Sequence, residues 1–127
     1  MECYFGSREL PEDSRPDKSA VVMFNIPDIG IRFKAPFAAV DTDHGDLAAL
    51  LALLEFIDSN QKYFSSKHTY QIYGNNLKIV NGVNRRQPLD DKFAKLLDRT
   101  HIYRDKYGFS LEWVPSDRNP ALDSLFD

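Results

Sequence analysis

Thr42-Asp43-His44-Gly45-Asp46-Leu47-Ala48-Ala49-Leu50-Leu51-Ala52-Leu53-Leu54-Glu55-Phe56-Ile57 is the stretch in which the chain changes its period. Leu47, Leu50, Leu51, Leu54 and Ile57 fall at i, i+3, i+4, i+7 and i+10, which is one apolar face of an amphipathic helix. The spacing predicts a helix from Asp43 to Asn60. Asp43 is the expected N-cap, with Asp46 three residues later near the second position of a capping box.

On either side of this helix the pattern is that of strands. Residues 2–8, around Cys3-Tyr4-Phe5, form a short strand-like run. The polar segment Pro11 to Lys18 reads as a loop because of its two prolines. Residues 19–26 (Ser-Ala-Val-Val-Met-Phe-Asn-Ile) are rich in β-formers, and residues 30–39 alternate in part, after a turn at Pro27-Asp28. Three strands with short connections make an antiparallel meander.

Downstream of the helix, residues 69–74 give a compact strand, followed by Asn75-Asn76 and a short helix through Ile79, Val80 and Val83. Pro88 suits the first turn of a further helix, with Leu89, Phe93, Leu96, Leu97 and Tyr107 as its apolar stripe and Gly108 as its C-cap. Residues 109–114 form a last strand, and Ala121–Phe126 a final helical turn or two. A meander feeding βαβ crossovers predicts a single α/β domain over residues 1–127, a five-stranded mixed sheet with helices on both faces. Right-handed crossovers bring the strand ends near Asn75 and Val114 beside the end of the first strand, the edge where open α/β sheets bind ligands.

Composition narrows the class less than charge does. A chain of 127 residues supports one domain, and its only cysteine, Cys3, excludes an intramolecular disulfide. No apolar run approaches the roughly 20 residues of a membrane helix. A cytoplasmic protein with no membrane contact is the expectation. The net charge of -3 argues against a broad basic field. The charge is nevertheless segregated. Ala38 to Gln61 holds Asp41, Asp43, Asp46, Glu55 and Asp58 and no base, while Tyr70 to Arg86 holds Lys78, Arg85 and Arg86 and no acid. The first segment suits a cation and the second a phosphate backbone, although solvated faces of opposite sign produce the same pattern.

Three segments then resemble the ribonuclease H superfamily, especially its compact reverse-transcriptase-like members. Thr42–Leu50 is similar to the turn into the first helix, where the family places a glutamate followed by an alanine-rich helix. Tyr70–Asn76 and Leu77–Val83 are similar to the strand that ends in an aspartate and turns into a helix. Glu112-Trp113-Val114-Pro115-Ser116-Asp117-Arg118-Asn119-Pro120-Ala121-Leu122-Asp123 resembles the terminal strand, the V-P turn and the N-x-x-x-D segment.

The resemblance implies a site in which two divalent metals, held by four carboxylates, hydrolyse the RNA strand of an RNA–DNA hybrid. Carried over by position, the catalytic acids are Asp46 and Asp123, and the metal ligands Asp46, Asn75 and Asp123. The strand acid that precedes a Gly-Ser pair falls at Phe5, before Gly6-Ser7, and the acid ending the fourth strand falls at Asn75. Two of four carboxylates remain, so the resemblance implies a degenerate site with weak Mg²⁺ or Mn²⁺ binding at most. Lys78, Arg85, Arg86 and Asn119 are the candidate nucleic-acid contacts.

Each residue also has a purely local reading. Asp46 and Asp123 suit first helical turns, where the dipole favours acids. Asn75-Asn76 suits a turn and N-cap, Trp113 suits the core, and Arg85-Arg86 suits a solvated loop. His44, His68 and His101 are too far apart in sequence for a spaced metal motif, and only His44 is near enough to Asp46 to reach it. Three functions stay open. One is a catalytically degenerate module that binds nucleic acid or a protein partner. The second is an active nuclease rebuilt on Asp43, Asp41 or Glu2, and the third a structural or homo-oligomerising domain.

Overall fold

The central layer is a sheet with one face under helices and the other covered only in part. A computed structural model describes residues 1–10, 19–64 and 69–123. Strands β1 (Glu2–Glu9), β2 (Ala20–Ile26) and β3 (Ile31–Phe37) pair antiparallel. Strands β4 (Gln71–Gly74) and β5 (Ser110–Trp113) run parallel to β1, giving the order β3-β2-β1-β4-β5. This is the five-stranded mixed sheet expected from the sequence.

Helix α1 (Thr42–Ser59) lies on β1 and β2, with α2 (Leu77–Val83) and α3 (Ala94–Tyr107) packed beside it. The face it covers is the one carrying Cys3, Phe5, Phe24, Ile26, Ile72 and Leu111, all buried. The other face is met near Gly6 by a 3₁₀ turn at Pro120–Leu122. That second cover explains why Met23, opposite Gly6 in the β1–β2 pairing, is buried as deeply as its neighbours.

The expected stripe Leu47, Leu50, Leu51, Leu54 and Ile57 is buried, and so are Ala49 and Leu53, which lie off it. The burial is wider because α1 is covered by α3 as well as by the sheet. Ion pairs between Arg99 and Glu55 and between Lys106 and Asp58 join the two helices at their rim. Gly108 ends α3 at φ 61°, its N–H donating to the Arg104 carbonyl at 2.7 Å, the C-cap the sequence predicts.

Two expectations need correction, on Pro88 and on Trp113. Pro88 is exposed and outside any helix. A 3₁₀ turn at Asp91–Phe93, capped by the Asp90 side chain, precedes α3 and sets its start at Ala94. Trp113 is 47% exposed, because it ends an edge strand rather than crossing the core. Of the final helical segment, the described part is a 3₁₀ turn at Pro120–Leu122, with Asp123 in an extended conformation. The remainder of that segment, the Pro11–Lys18 loop and His68 lie outside the described residues. No described helix is long and apolar enough to cross a membrane.

Leu50 has no exposed surface, while Ile102 on α3 is 64% exposed. Leu50→Ala is expected to lower the unfolding free energy by about 2–5 kcal/mol in urea titration. Ile102→Ala should stay within about 0.5 kcal/mol of the parent. Equal effects would mean that α1 does not pack as described.

Candidate functional site

The first turn of α1 is built by competition among neighbouring acids. Asp41, in extended conformation, is the N-cap, and its side chain accepts from the His44 backbone N–H at 2.8 Å. The expected cap, Asp43, instead lies inside the first turn. There, three residues before Asp46, it shares a helix face with it.

That face meets the start of α2. Asn76 is the N-cap of α2, and its Oδ1 accepts from the Ile79 N–H at 3.3 Å. This fixes the amide orientation, so Nδ2 points back toward α1 and donates to Asp43 Oδ1 and Asp46 Oδ2, each at 2.8 Å. Ser7 Oγ on β1 donates to Asp46 Oδ1 at 2.7 Å, and Lys78 Nζ sits 2.9 Å from Asp43 Oδ2. One amide therefore joins two carboxylates while it caps a helix.

Environment pulls the acids apart. Burial pushes the Asp46 carboxyl above its ordinary value, against the opposing hydrogen bonds from Ser7 and Asn76. Burial raises Asp43 too, but hydrogen bonds from Asn76 and Lys78 outweigh it and leave that carboxyl below the ordinary value. Asp41 is lowered by Lys92, at 2.5 Å, and by the His44 N–H.

A second polar group lies on the opposite side of β1. Asn119 is buried, and its Nδ2 donates to the Phe5 carbonyl and to Asn75 Oδ1, both at 2.8 Å. Its Oδ1 accepts from the Ala121 N–H at 3.1 Å. Phe5 points into the core, and the position of β1 that faces Asn75 is Gly6. A Cβ on Gly6 would sit 3.2 Å from Asn75 Oδ1 and 2.8 Å from Leu122 Cδ2. Strand alternation thus puts the strand position beside Asn75 one residue after the one suggested by the Gly-Ser pair.

Asp123 is exposed and lines an open pocket of about 750 Å³ together with Arg8, Asp117, Arg118 and Asn119. Asp46 is not part of that lining. The structure thus joins Asp46 to Ser7, Asn76 and Asp43, and Asn75 to Asn119, as two groups. Lys78 is held at Asp43. Arg85 and Arg86 are exposed beside Arg104, whose guanidinium is lowered by partial burial and by their two charges. His44 Nδ1 accepts from the Val40 N–H and its ring meets Phe37 edge-on, while His101 contacts the Val83 carbonyl.

The sequence marks Asn76 as an N-cap, as the structure has it, but gives neither its grip on the two carboxylates nor Ser7, and it marks Asp43 only as a cap or a substitute ligand. The i, i+3 spacing of Asp43 and Asp46 was the available signal. Ser7 and Asn76 act through tertiary contacts that no local pattern encodes.

The donor chemistry tests whether two divalent metals fit. Both oxygens of Asp46 and both of Asp43 already accept from internal donors, and Asn75 Oδ1 accepts from Asn119. Gly6 offers no ligand. Among the described residues, no group of three or more Asp, Glu, His or Cys is placed to hold a metal ion. As arranged, these residues do not fit a pair of hard cations.

Comparison with solved structures places the chain in the ribonuclease H-like fold. RNase H1 from the halophilic archaeon Halobacterium salinarum matches with a TM-score of 0.73 at 17% identity, covering 98% of this chain and 92% of that one. LC11-RNase H1 in complex with an RNA/DNA hybrid matches with a TM-score of 0.70 at 11% identity, over 93% and 87% of the two chains. The N-terminal RNase H domain of a Mycobacterium tuberculosis protein gives 0.66 at 14% identity, over 93% and 85%. No protein-family model and no curated protein matches the sequence.

The burial of Asp46 has a pH signature. A carboxyl whose folded pKa is raised favours the folded state while protonated, and that advantage is lost as pH rises through the window between its unfolded and folded values. Asp46→Asn cannot ionise, so it should gain stability relative to the parent between pH 3 and pH 7. Any constant cost from its mispaired amide cancels in that comparison. Urea titrations at the two pH values check this, and a relative loss at pH 7 would refute the burial argument.

Proposed function

We propose that this domain is a catalytically degenerate ribonuclease H-like module that binds nucleic acid, with an RNA–DNA hybrid as the first candidate, and does not hydrolyse it. The observation that carries the reading is the donor set at the ends of β1 and β4. It supplies two carboxylates already satisfied by an amide, a hydroxyl and an ammonium, and beyond them a neutral amide and a glycine. Positioning water and a leaving oxygen by metal requires anionic ligands that are open to the ion. Mg²⁺ or Mn²⁺ binding is correspondingly weak.

The binding half of the proposal rests on the fold and on one basic surface. LC11-RNase H1, a structure of the same fold, was solved with an RNA/DNA hybrid. In this chain Arg85 and Arg86 follow α2, exposed and beside Arg104. Among the described residues none of the three forms an ion pair. Arg104 is turned onto the Val83 carbonyl and the Phe109 ring, which leaves the guanidiniums of Arg85 and Arg86 to suit a phosphate backbone. Lys78, on the same helix, is held back by Asp43, and the Asn119 amide is committed to the interior.

Fluorescence anisotropy with a labelled hybrid tests this directly. Binding should persist in EDTA, and the strands should stay intact through prolonged incubation with Mg²⁺ or Mn²⁺. The paired substitution Arg85→Ala with Arg86→Ala should weaken binding and reduce the salt slope by about two. Hybrid cleavage abolished by Asp46→Asn would put an active nuclease in place of this reading. Absence of any nucleic-acid binding would leave the protein-partner or oligomerisation role.

A further inference from the structure

The acidic start of α1 carries its counter-cations with it. Asp41, Asp43 and Asp46 lie within six residues, in a segment without a single Lys or Arg. The bases arrive through the fold instead. Lys78 of α2 reaches Asp43 at 2.9 Å, and Lys92, before α3, reaches Asp41 at 2.5 Å. Between Asp43 and Asp46 stands the Asn76 amide, two residues before Lys78 in the chain.

We propose that Lys78 is a built-in counter-cation: its ammonium takes the electrostatic place of a divalent ion at Asp43 and Asp46, and keeps such an ion out. This deepens the degenerate reading, on which it rests for the claim that the site works without metal. The argument is one of geometry and charge. Asn76 caps α2 and grips both carboxylates, so the helix start is fixed against α1, and Lys78 is carried to Asp43 by the same turn. The ammonium is therefore tethered beside Asp43, where a free ion has to arrive from solution. A divalent cation must displace it, and must also shed water, which Mg²⁺ does reluctantly.

The ion pair is open to solvent, with the Lys78 side chain 51% exposed. Screening makes its contribution to folding small. Its effect belongs to ion competition. Without the ammonium, Asp43 Oδ2 would be left open, and the two carboxylates would keep only neutral donors, the Asn76 amide between them and the Ser7 hydroxyl on Asp46. That suits one divalent cation better than it suits the apo state.

Titration of Mn²⁺ into the whole chain, with free Mn²⁺ followed by electron paramagnetic resonance, tests this without reference to catalysis. Lys78→Met should tighten Mn²⁺ binding by about tenfold, the scale of one charge at contact distance in a partly exposed site. Lys78→Arg should not. Adding Asp43→Asn to Lys78→Met should remove the gain. Lys92→Met, which frees only Asp41, should tighten binding less. If Lys78→Met does not fold by circular dichroism, Lys78→Gln decides in its place. A folded neutral variant that binds Mn²⁺ no more tightly than the parent overturns the proposal. So does a gain that survives loss of the Asp43 charge. Failure of hybrid binding, with the Mn²⁺ gain intact, removes the proposed function and leaves the counter-cation standing.

Discussion

The packing of α1 against β1 and β2 is the constraint from which the rest follows. Leu47, Leu50, Leu53, Leu54 and Ile57 leave almost no apolar surface exposed, and α3 covers what the sheet does not. Full burial of each such side chain stabilises by about 1.5–3 kcal/mol, so the five together outweigh any single polar contact described at the start of the helix. Once those leucines are seated, the first turn of α1 must lie beside the end of β1. Asp46 is then brought onto Ser7, and Asp43 toward α2. The polar network is arranged by an apolar fit.

What the sequence made legible follows this division. Periods of 3.6 and 2 locate α1 and the strands to within a few residues, because each element must present one face to a common core. The errors fall where a choice between neighbours depends on distant partners. Asp41, Thr42 and Asp43 are all competent caps, and the outcome turns on Asn76 and Lys78 drawing Asp43 away. Pro88 is compatible with a first helical turn, yet Asp90 caps a 3₁₀ turn and delays the helix to Ala94. Trp113 reads as core by type, and only its place at the end of an edge strand exposes it.

The strand position facing Asn75 shows the sharpest form of this sensitivity. In a strand, a shift of one residue exchanges the two faces completely. Reading the Gly-Ser pair as a marker placed the missing acid at Phe5, which is a core residue. The residue that faces Asn75 and Asn119 is Gly6. In this chain the β1–β4 pairing of Phe5 with Gly74 gives the parity, with Phe5 on the core side of β1 and Gly6 on the side of Asn75.

Parity also separates what holds the fold from what lines the polar groups. The fold depends on the Phe5 side of β1, where loss of an apolar group is costly. The polar group depends on the Gly6 side, where Asn75, Asn119 and Leu122 fill the space beside the strand. A side chain restored at Gly6 would meet Leu122 Cδ2 at 2.8 Å, a contact that the flexible end of Leu122 can relieve. It would meet Asn75 Oδ1 at 3.2 Å, an oxygen already oriented by Asn119. An acid there would set like charge against that oxygen unless the Asn75–Asn119 bond were also rearranged. The Asp46 group, on the other side of β1, would keep its own internal donors throughout. The polar groups on the two sides of β1 are therefore tied to separate internal partners, while one apolar core holds both in place.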